Sequence, residues 1–205
     1  LMRWRLDDGT LVSPARFVPV LEQTGLIFEA GQQILGRARQ THAAWRGRGL
    51  AAPRIAVNVS ALQLRRRTFV ADVSAALGGA GPDGGGVDLE LTETLLMSDV
   101  DESIRKLREL RAMGLRMGLD DFGTGYSSLA YLSKLPLDTL KIDRSFVHGM
   151  TDNPDHTSIV SAIISLAQAL RLKVVAEGVE TEQQAQLLKL LRWDQVQGFL
   201  LSRPP

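Results

Sequence analysis

Asp120 and Asp121 stand side by side in "GLDDFGTGYSS" (118–128), at the end of a largely apolar run, with two glycines and two serines following. Adjacent carboxylates repel one another, and burying them without a partner is costly. An Asx-turn opening the glycine loop explains one aspartate but hardly two. Similar groups recur near the ends of other apolar runs. Asn58 lies in "VNVS", Glu90 and Glu93 flank Leu91-Thr92 in "ELTE", and Gln197 lies in "VQGF". Lys141 lies inside "LKID", with Asp143 two residues on and therefore on the same face. Glu177 and Glu180 repeat the theme in "AEGVE".

Each has an ordinary structural reading. The glutamates can cap helices or lie on the surface, the lysine can mark an edge strand, and the glutamine can satisfy a buried backbone group. Jointly these readings require several strand ends to carry acids, amides or lysine by coincidence. A divalent cation removes the repulsion, and oxygen donors in this number suit Mg²⁺ or Mn²⁺ rather than zinc. The two aspartates can serve one ion each, or one of them can bridge two. Two metals roughly 3.5–4 Å apart would clamp an attacking hydroxide and a phosphoryl oxygen for in-line displacement. A lysine beside them would stabilise charge in the transition state.

These groups must be positioned by regular elements. Six short apolar runs read as strands: 54–60, 87–93, 116–122, 139–144, 173–179 and 196–201. Helical patterns lie between most of them. "SPARFVPVLEQTG" offers Ser13 as N-cap, Pro14 in the first turn and Gly25 as terminator. "SDVDESIRKLRELRAMG" spaces Ile104, Leu107, Leu110 and Met113 along one helix face and ends on Gly114. "HTSIVSAIISLAQALRL" is apolar almost all round and reads as a well-buried helix. "TEQQAQLLKLL" opens on a capping box, Thr181 to Gln184. The alternation implies parallel strands with right-handed crossovers, buried on both faces. A doubly wound sheet and a (β/α) barrel both fit this pattern. The polar strand ends favour the barrel, because only there do the C-terminal ends form one ring.

Composition excludes several classes. The chain has 205 residues, 24 basic and 23 acidic, for a net charge of +1. That balance makes no electrostatic case for a DNA or RNA duplex or for a membrane surface. There is no cysteine, so disulfides, zinc thiolates and thiol nucleophiles are out. No apolar run approaches the roughly 20 residues of a spanning helix, which argues against direct membrane insertion and makes the cytoplasm the default location. "GGAGPDGGG" (78–86) lacks a phosphate loop's Lys-Ser/Thr ending and reads as a flexible connection. "RRR" (65–67) reads as a solvated helix face, and His42, His148 and His156 as surface residues without ligand spacing.

"VNVS", "LELTE", "LDDFGTGYSSL", "LKIDRSF", "VVAEGVE" and "VQGFLLSRP" occur in the order and spacing of the bacterial EAL domain, and "SPARFVPVLEQTGLI" resembles its early helix region. The resemblance spans essentially the whole chain as one domain, 1–205. It implies a modified triosephosphate-isomerase-type (TIM-type) (β/α) barrel. It also implies hydrolysis of cyclic di-GMP to linear pGpG with Mg²⁺ or Mn²⁺, two ions in number, in bacterial second-messenger signalling. Carried over by motif, Asn58, Glu90, Asp120 and Glu177 resemble metal ligands, and Asp121 a ligand of the second ion. Lys141 resembles the catalytic lysine, and Gln197 the glutamine that positions the metal-water cluster. Glu93 matches the glutamate bracing the loop after the aspartate pair, and Glu180 a supporting glutamate. Arg3 resembles a substrate-phosphate contact, and Phe199 a contact to guanine.

The same resemblance implies a homodimer, with the loop 123–128 and the following "LAYLSKL" near its contact. It further implies fused sensory or GGDEF domains, through which the parent protein can be tethered to the inner membrane. Leu1 matches the leucine of the Glu-Ala-Leu motif, so the motif's glutamate and the strand before it are absent from this sequence, and the barrel is open to being incomplete at its N-terminus. Two other readings stand beside this one. One is a non-catalytic cyclic di-GMP receptor; the other is a metal-dependent barrel enzyme acting on a carboxylate or enolate. Retention of every visible metal and lysine position favours the phosphodiesterase.

Overall fold

The computed structural model describes residues 2–79, 81, 83–97, 99–123 and 129–203. The chain divides into two compact units, one of residues 1–90 with 105–116 and the other of 91–104 with 117–205.

The first unit opens on a small antiparallel hairpin, β1 (Trp4–Arg5) and β2 (Leu11–Val12). Helix α1 (Pro14–Thr24) starts after Ser13 with its proline in the first turn, and Gly25 closes it by donating its N–H to Glu22 O. The long α2 (Ile27–Gly47) buries Ile27, Gly31, Leu35, Ala38 and His42 along one stripe. Strand β3 (Ile55–Asn58) is followed by α3 (Ala61–Arg65), whose N-terminus carries a full capping box between Ser60 and Gln63. Helix α4 (Phe69–Ala76) buries Phe69 and Val73. Strand β4 (Val87–Thr92) pairs in parallel with β3, from Ile55 opposite Val87 to Asn58 opposite Glu90.

Two sequence expectations are corrected in this unit. Within the glycine stretch, Gly84–Gly86 form a 3₁₀ turn capped by the Asp83 carboxylate, with Gly84 and Gly86 buried. His42 is buried instead of lying on the surface. The two corrections share a cause. A Cβ on Gly86 would lie 2.1 Å from His42 Nδ1, and Gly86 has φ +74°, so only glycine lets the turn close over the imidazole. Arg65, Arg66 and Arg67 are exposed as expected, with Arg66 stacked 4.6 Å from the Phe28 ring centre. Sequence reading passed over Lys106, which is buried here and donates to Leu64 O at 2.7 Å and Arg66 O at 3.1 Å. Those are carbonyls that the end of α3 leaves without helical partners.

The second unit carries the short α5 (Glu93–Met97) and the start of α6 (Val100–Ala112). Strand β5 (Arg116–Phe122) follows, then α7 (Leu129–Leu132), β6 (Thr139–Ile142) and α8 (Arg144–Gly149). Next come α9 (Pro154–Ala169), β7 (Lys173–Glu177), α10 (Glu182–Leu190) and β8 (Gln195–Gln197). β5 pairs with β6, β6 with β7 and β7 with β8, all in parallel. Met117 to Leu119 of β5, Leu140 to Ile142 of β6 and Val174 to Ala176 of β7 are buried in succession, as strands covered on both faces require. The capping box expected at Thr181 and Gln184 is formed.

Helix α9 departs from its expected all-round burial. Val160, Ile163, Ile164 and Ala167 are buried, while Ile159 is 38% exposed and Ser158 and Ser165 face solvent. The buried set has the i, i+3, i+4, i+7 spacing of a one-sided helix. Among the described residues no helix is long and apolar enough to cross a membrane.

Candidate metal and phosphodiesterase site

The acidic pair sits on an irregularity of the β5–β6 ladder. Leu119 is opposite Leu140 and Phe122 is opposite Ile142, so Asp120 and Asp121 together face the single residue Lys141. This is the two-against-one count of a β-bulge. Asp121 has φ +54°, the left-handed region that aspartate tolerates better than most residues. In a regular strand neighbouring side chains point to opposite faces. The bulge removes that alternation, and oxygens of Asp120, Asp121 and Glu177 come within 4.8 Å of one another.

Lys141 closes the cluster from β6. Its Nζ lies 3.0 Å from Asp120 Oδ1 and 2.6 Å from Glu177 Oε1, and its side chain is only 6% exposed. One ammonium thus holds two carboxylates brought by the strands on either side, β5 and β7. Asp120 Oδ1 also accepts the Asp121 N–H at 3.2 Å. Burial, then the negative charges of Asp120 and Asp143, raise the Asp121 carboxyl above its ordinary value against the opposing pull of Lys141.

Asp143, noted in the sequence only as sharing a face with Lys141, hydrogen-bonds to Asp121. It also caps α8, its Oδ1 accepting the Ser145 N–H at 2.9 Å and the Ser145 hydroxyl at 2.5 Å. Burial pushes its carboxyl up, but those two bonds, the Arg144 charge and the Asp121 bond outweigh it, and the net shift is downward. Its signal in the sequence was the i, i+2 spacing from Lys141.

The other expected residues fall in different surroundings. Glu93 opens α5 and is buried; its Oε2 accepts the Gly123 N–H at 3.3 Å. Its Oε1 has no hydrogen-bond partner among the described residues. It therefore grips the first residue after β5, while residues 124–128 of the glycine-serine loop lie outside the described residues. Gln197 is exposed and stands opposite Glu177 in the β7–β8 register. Glu180 is exposed and lies 3.6 Å from His148 Nε2. Phe199 is 52% exposed, with the Arg203 guanidinium 5.4 Å from its ring centre. In the first unit Asn58 and Glu90 are paired directly across the β3–β4 register, and Arg3 is exposed beside the hairpin.

The donor set fits a hard divalent cation. Three carboxylates converge with a lysine, no sulfur or imidazole is among them, and the Asp121 carboxyl, raised first by burial and then by the charges of Asp120 and Asp143, lies where a cation would stabilise its ionised form.

Comparison with known proteins agrees with this geometry. The family model described as the EAL domain matches residues 1–204, and the chain belongs to the EAL domain family. Two relatives come from Pseudomonas aeruginosa. The bifunctional diguanylate cyclase/cyclic di-GMP phosphodiesterase MucR is 45% identical over 204 residues, covering 100% of this chain and 30% of MucR. The cyclic di-GMP phosphodiesterase NbdA is 45% identical over 208 residues, covering 100% of this chain and 26% of NbdA. The chain therefore spans less than a third of the length of either protein. A solved structure described as the PaMucR phosphodiesterase in complex with c-di-GMP superposes with a TM-score of 0.94 at 45% identity, over 100% of this chain and 83% of that one. The fold class is the modified TIM-type (β/α) barrel that the family resemblance implied, in incomplete form.

Proposed function

We propose that this chain is a phosphodiesterase domain that hydrolyses cyclic di-GMP to linear pGpG with Mg²⁺ or Mn²⁺, two ions in number. The observation that carries the reading is the single ammonium of Lys141 held between Asp120 and Glu177, with Asp121 in the same cluster. Relatives named as cyclic di-GMP phosphodiesterases and a c-di-GMP complex at 45% identity support the substrate.

Asp120, Asp121 and Glu177 would hold the ions; for Asn58 and Glu90 the ligand role rests on the family motif alone. Bound there, the ions would supply Lewis-acid stabilisation of charge on a phosphoryl oxygen. Lys141 orients both carboxylates and brings a fixed positive charge to a buried site, where it is worth far more than in water. Glu93 fixes the loop that leaves the acidic pair by holding the Gly123 N–H. Gln197 extends the polar line from Glu177 on the next strand, and Glu180 supports from the loop beyond it. Arg3 is assigned to a substrate phosphate and Phe199 to guanine.

The domain acts as a homodimer in the cytoplasm, fused to sensory or GGDEF domains. In the segment expected near the dimer contact, α7 exposes Leu129 and Tyr131, at 58% and 43%.

The test is turnover of cyclic di-GMP by the full-length protein with Mn²⁺, followed chromatographically, beside calorimetry for metal and for substrate. pGpG should form and Asp120→Asn should lose metal affinity and turnover together. Tight binding of cyclic di-GMP with metal present and no pGpG would replace this reading with a receptor.

A further inference from the structure

Two aspartates outside the acidic cluster hold the backbone of a neighbouring strand in the second unit. Asp138, just ahead of β6, accepts the Met117 N–H on Oδ2 at 2.9 Å and returns its own N–H to Met117 O at 2.9 Å. Asp194, just ahead of β8, accepts the Val174 N–H on Oδ2 at 2.8 Å. Met117 and Val174 are each the second residue of a strand, β5 and β7, and both are sealed from solvent. A backbone N–H buried there must find a protein acceptor.

One spacing repeats on all four strands. Three residues beyond Met117 is Asp120, and three beyond Asp138 is Lys141. Three beyond Val174 is Glu177, and three beyond Asp194 is Gln197. Each clamp therefore joins two strands at a fixed distance from the two polar residues those strands carry to the site.

We infer that Asp138 and Asp194 are positioning residues that lock strand register. Asp138 holds Lys141 opposite the Asp120–Asp121 bulge, and Asp194 holds Gln197 opposite Glu177. This deepens the phosphodiesterase reading and rests on it for the importance of Lys141 and Gln197. A slip of one residue turns every side chain of a strand to the other face. β6 has only four residues and β8 only three, so their own ladders specify register weakly. The β5–β6 ladder is further interrupted by the bulge itself. A carboxylate acceptor makes a stronger bond than a neutral one, and it lies just ahead of the strand it fixes. Asp138 reaches further still, its carbonyl accepting the Lys173 N–H of β7 at 3.0 Å.

The test uses the full-length protein and an acylating reagent, with labelled lysines counted by peptide mass spectrometry. Lys141 is shielded by burial and its two carboxylates; Lys106, buried in the first unit, reports general loosening. Asp138→Ala should raise Lys141 labelling on the order of tenfold, the consequence of orphaning one buried amide, while Lys106 stays protected. Asp138→Asn retains a neutral acceptor oxygen and should fall between wild type and the alanine variant. In the parallel turnover assay Asp138→Ala should lose on the order of 10² in kcat with KM little changed, the cost of a misplaced group.

Lys141 remaining protected in Asp138→Ala overturns the inference. So does a parallel rise at Lys106, and so does equal labelling in the Ala and Asn variants. Should Asp138→Ala fail to fold, Asp194→Ala carries the same test at an exposed side chain. Hydrogen exchange at the Val174 amide, which Asp194 holds, should then rise on the order of tenfold with Leu89 unchanged, and an unchanged Val174 refutes the clamp. A wild-type protein that makes no pGpG removes the proposed function, while the labelling pattern still decides the clamp.

Discussion

Replacing Lys141 with methionine keeps an unbranched side chain out to Cε and deletes the ammonium. Two carboxylates at 3.0 and 2.6 Å then lose their common counter-ion in a site where the lysine side chain is 6% exposed. At an effective dielectric of about 20, each of those contacts is worth about 6 kcal/mol of Coulomb energy. Dehydration of the ammonium and carboxylates offsets much of that, and breaking a buried ion pair by removing one partner costs about 3–5 kcal/mol net. For a domain of this size the loss lowers Tm by roughly 2–4 °C per kcal/mol, so by about 6–20 °C in metal-free buffer. Mn²⁺ bound as proposed would supply replacement positive charge to the same carboxylates, so the variant should regain more stability on metal addition than wild type does. Its turnover should stay low, by on the order of 10²–10³, because the proposed function places that cation, the Lys141 ammonium, beside the reacting phosphoryl group. Thermal melts with chelator and with Mn²⁺, beside the chromatographic assay, read both quantities. A Lys141→Met protein that melts like wild type without metal refutes the electrostatic account of the cluster. One that keeps full turnover refutes the catalytic role of Lys141.

Gly178 follows Glu177 with φ +69°, and a Cβ there would lie 2.6 Å from Arg144 Cβ; Gly178→Ala should cost about 1–3 kcal/mol and weaken Mn²⁺ binding, read by melting and calorimetry. In metal-free protein the raised Asp121 carboxyl means that the folded chain binds more protons than the unfolded chain between the ordinary carboxylate value and the raised one. Its contribution to stability is therefore lost as pH rises through that window; Asp121→Asn should flatten the slope, and melts in chelator across mildly acidic pH would show an unchanged slope if the reasoning is wrong.

β5, β6 and β7 were legible in the sequence because they are covered on both faces, and near-continuous apolar runs survive where no face meets water; β3 and β8 are partly exposed, and β8 spans Gln195–Gln197 instead of the expected 196–201. Helix starts were legible where capping is local, as at Thr181–Gln184, since the partners lie three residues apart. Asp120, Lys141 and Glu177 were singled out for the same kind of reason: a charged side chain inside an apolar strand needs a partner wherever the strand is placed. Burial that depends on what packs opposite was not legible. His42 looked like a surface residue until Gly86 closed over it, and α9 looked uniformly buried until one side of it proved to face solvent.

The tertiary structure alone decided the geometry of the acidic pair. By strand alternation Asp121 belongs on the face opposite Asp120, and a register shift with a positive φ joins it to Asp120 and Glu177. Register is a relation between two strands, fixed by bonds such as Asp138 to Met117 that connect residues 21 positions apart. An aspartate ahead of a strand reads locally as a turn residue, because nothing in its own segment records which distant amide it holds.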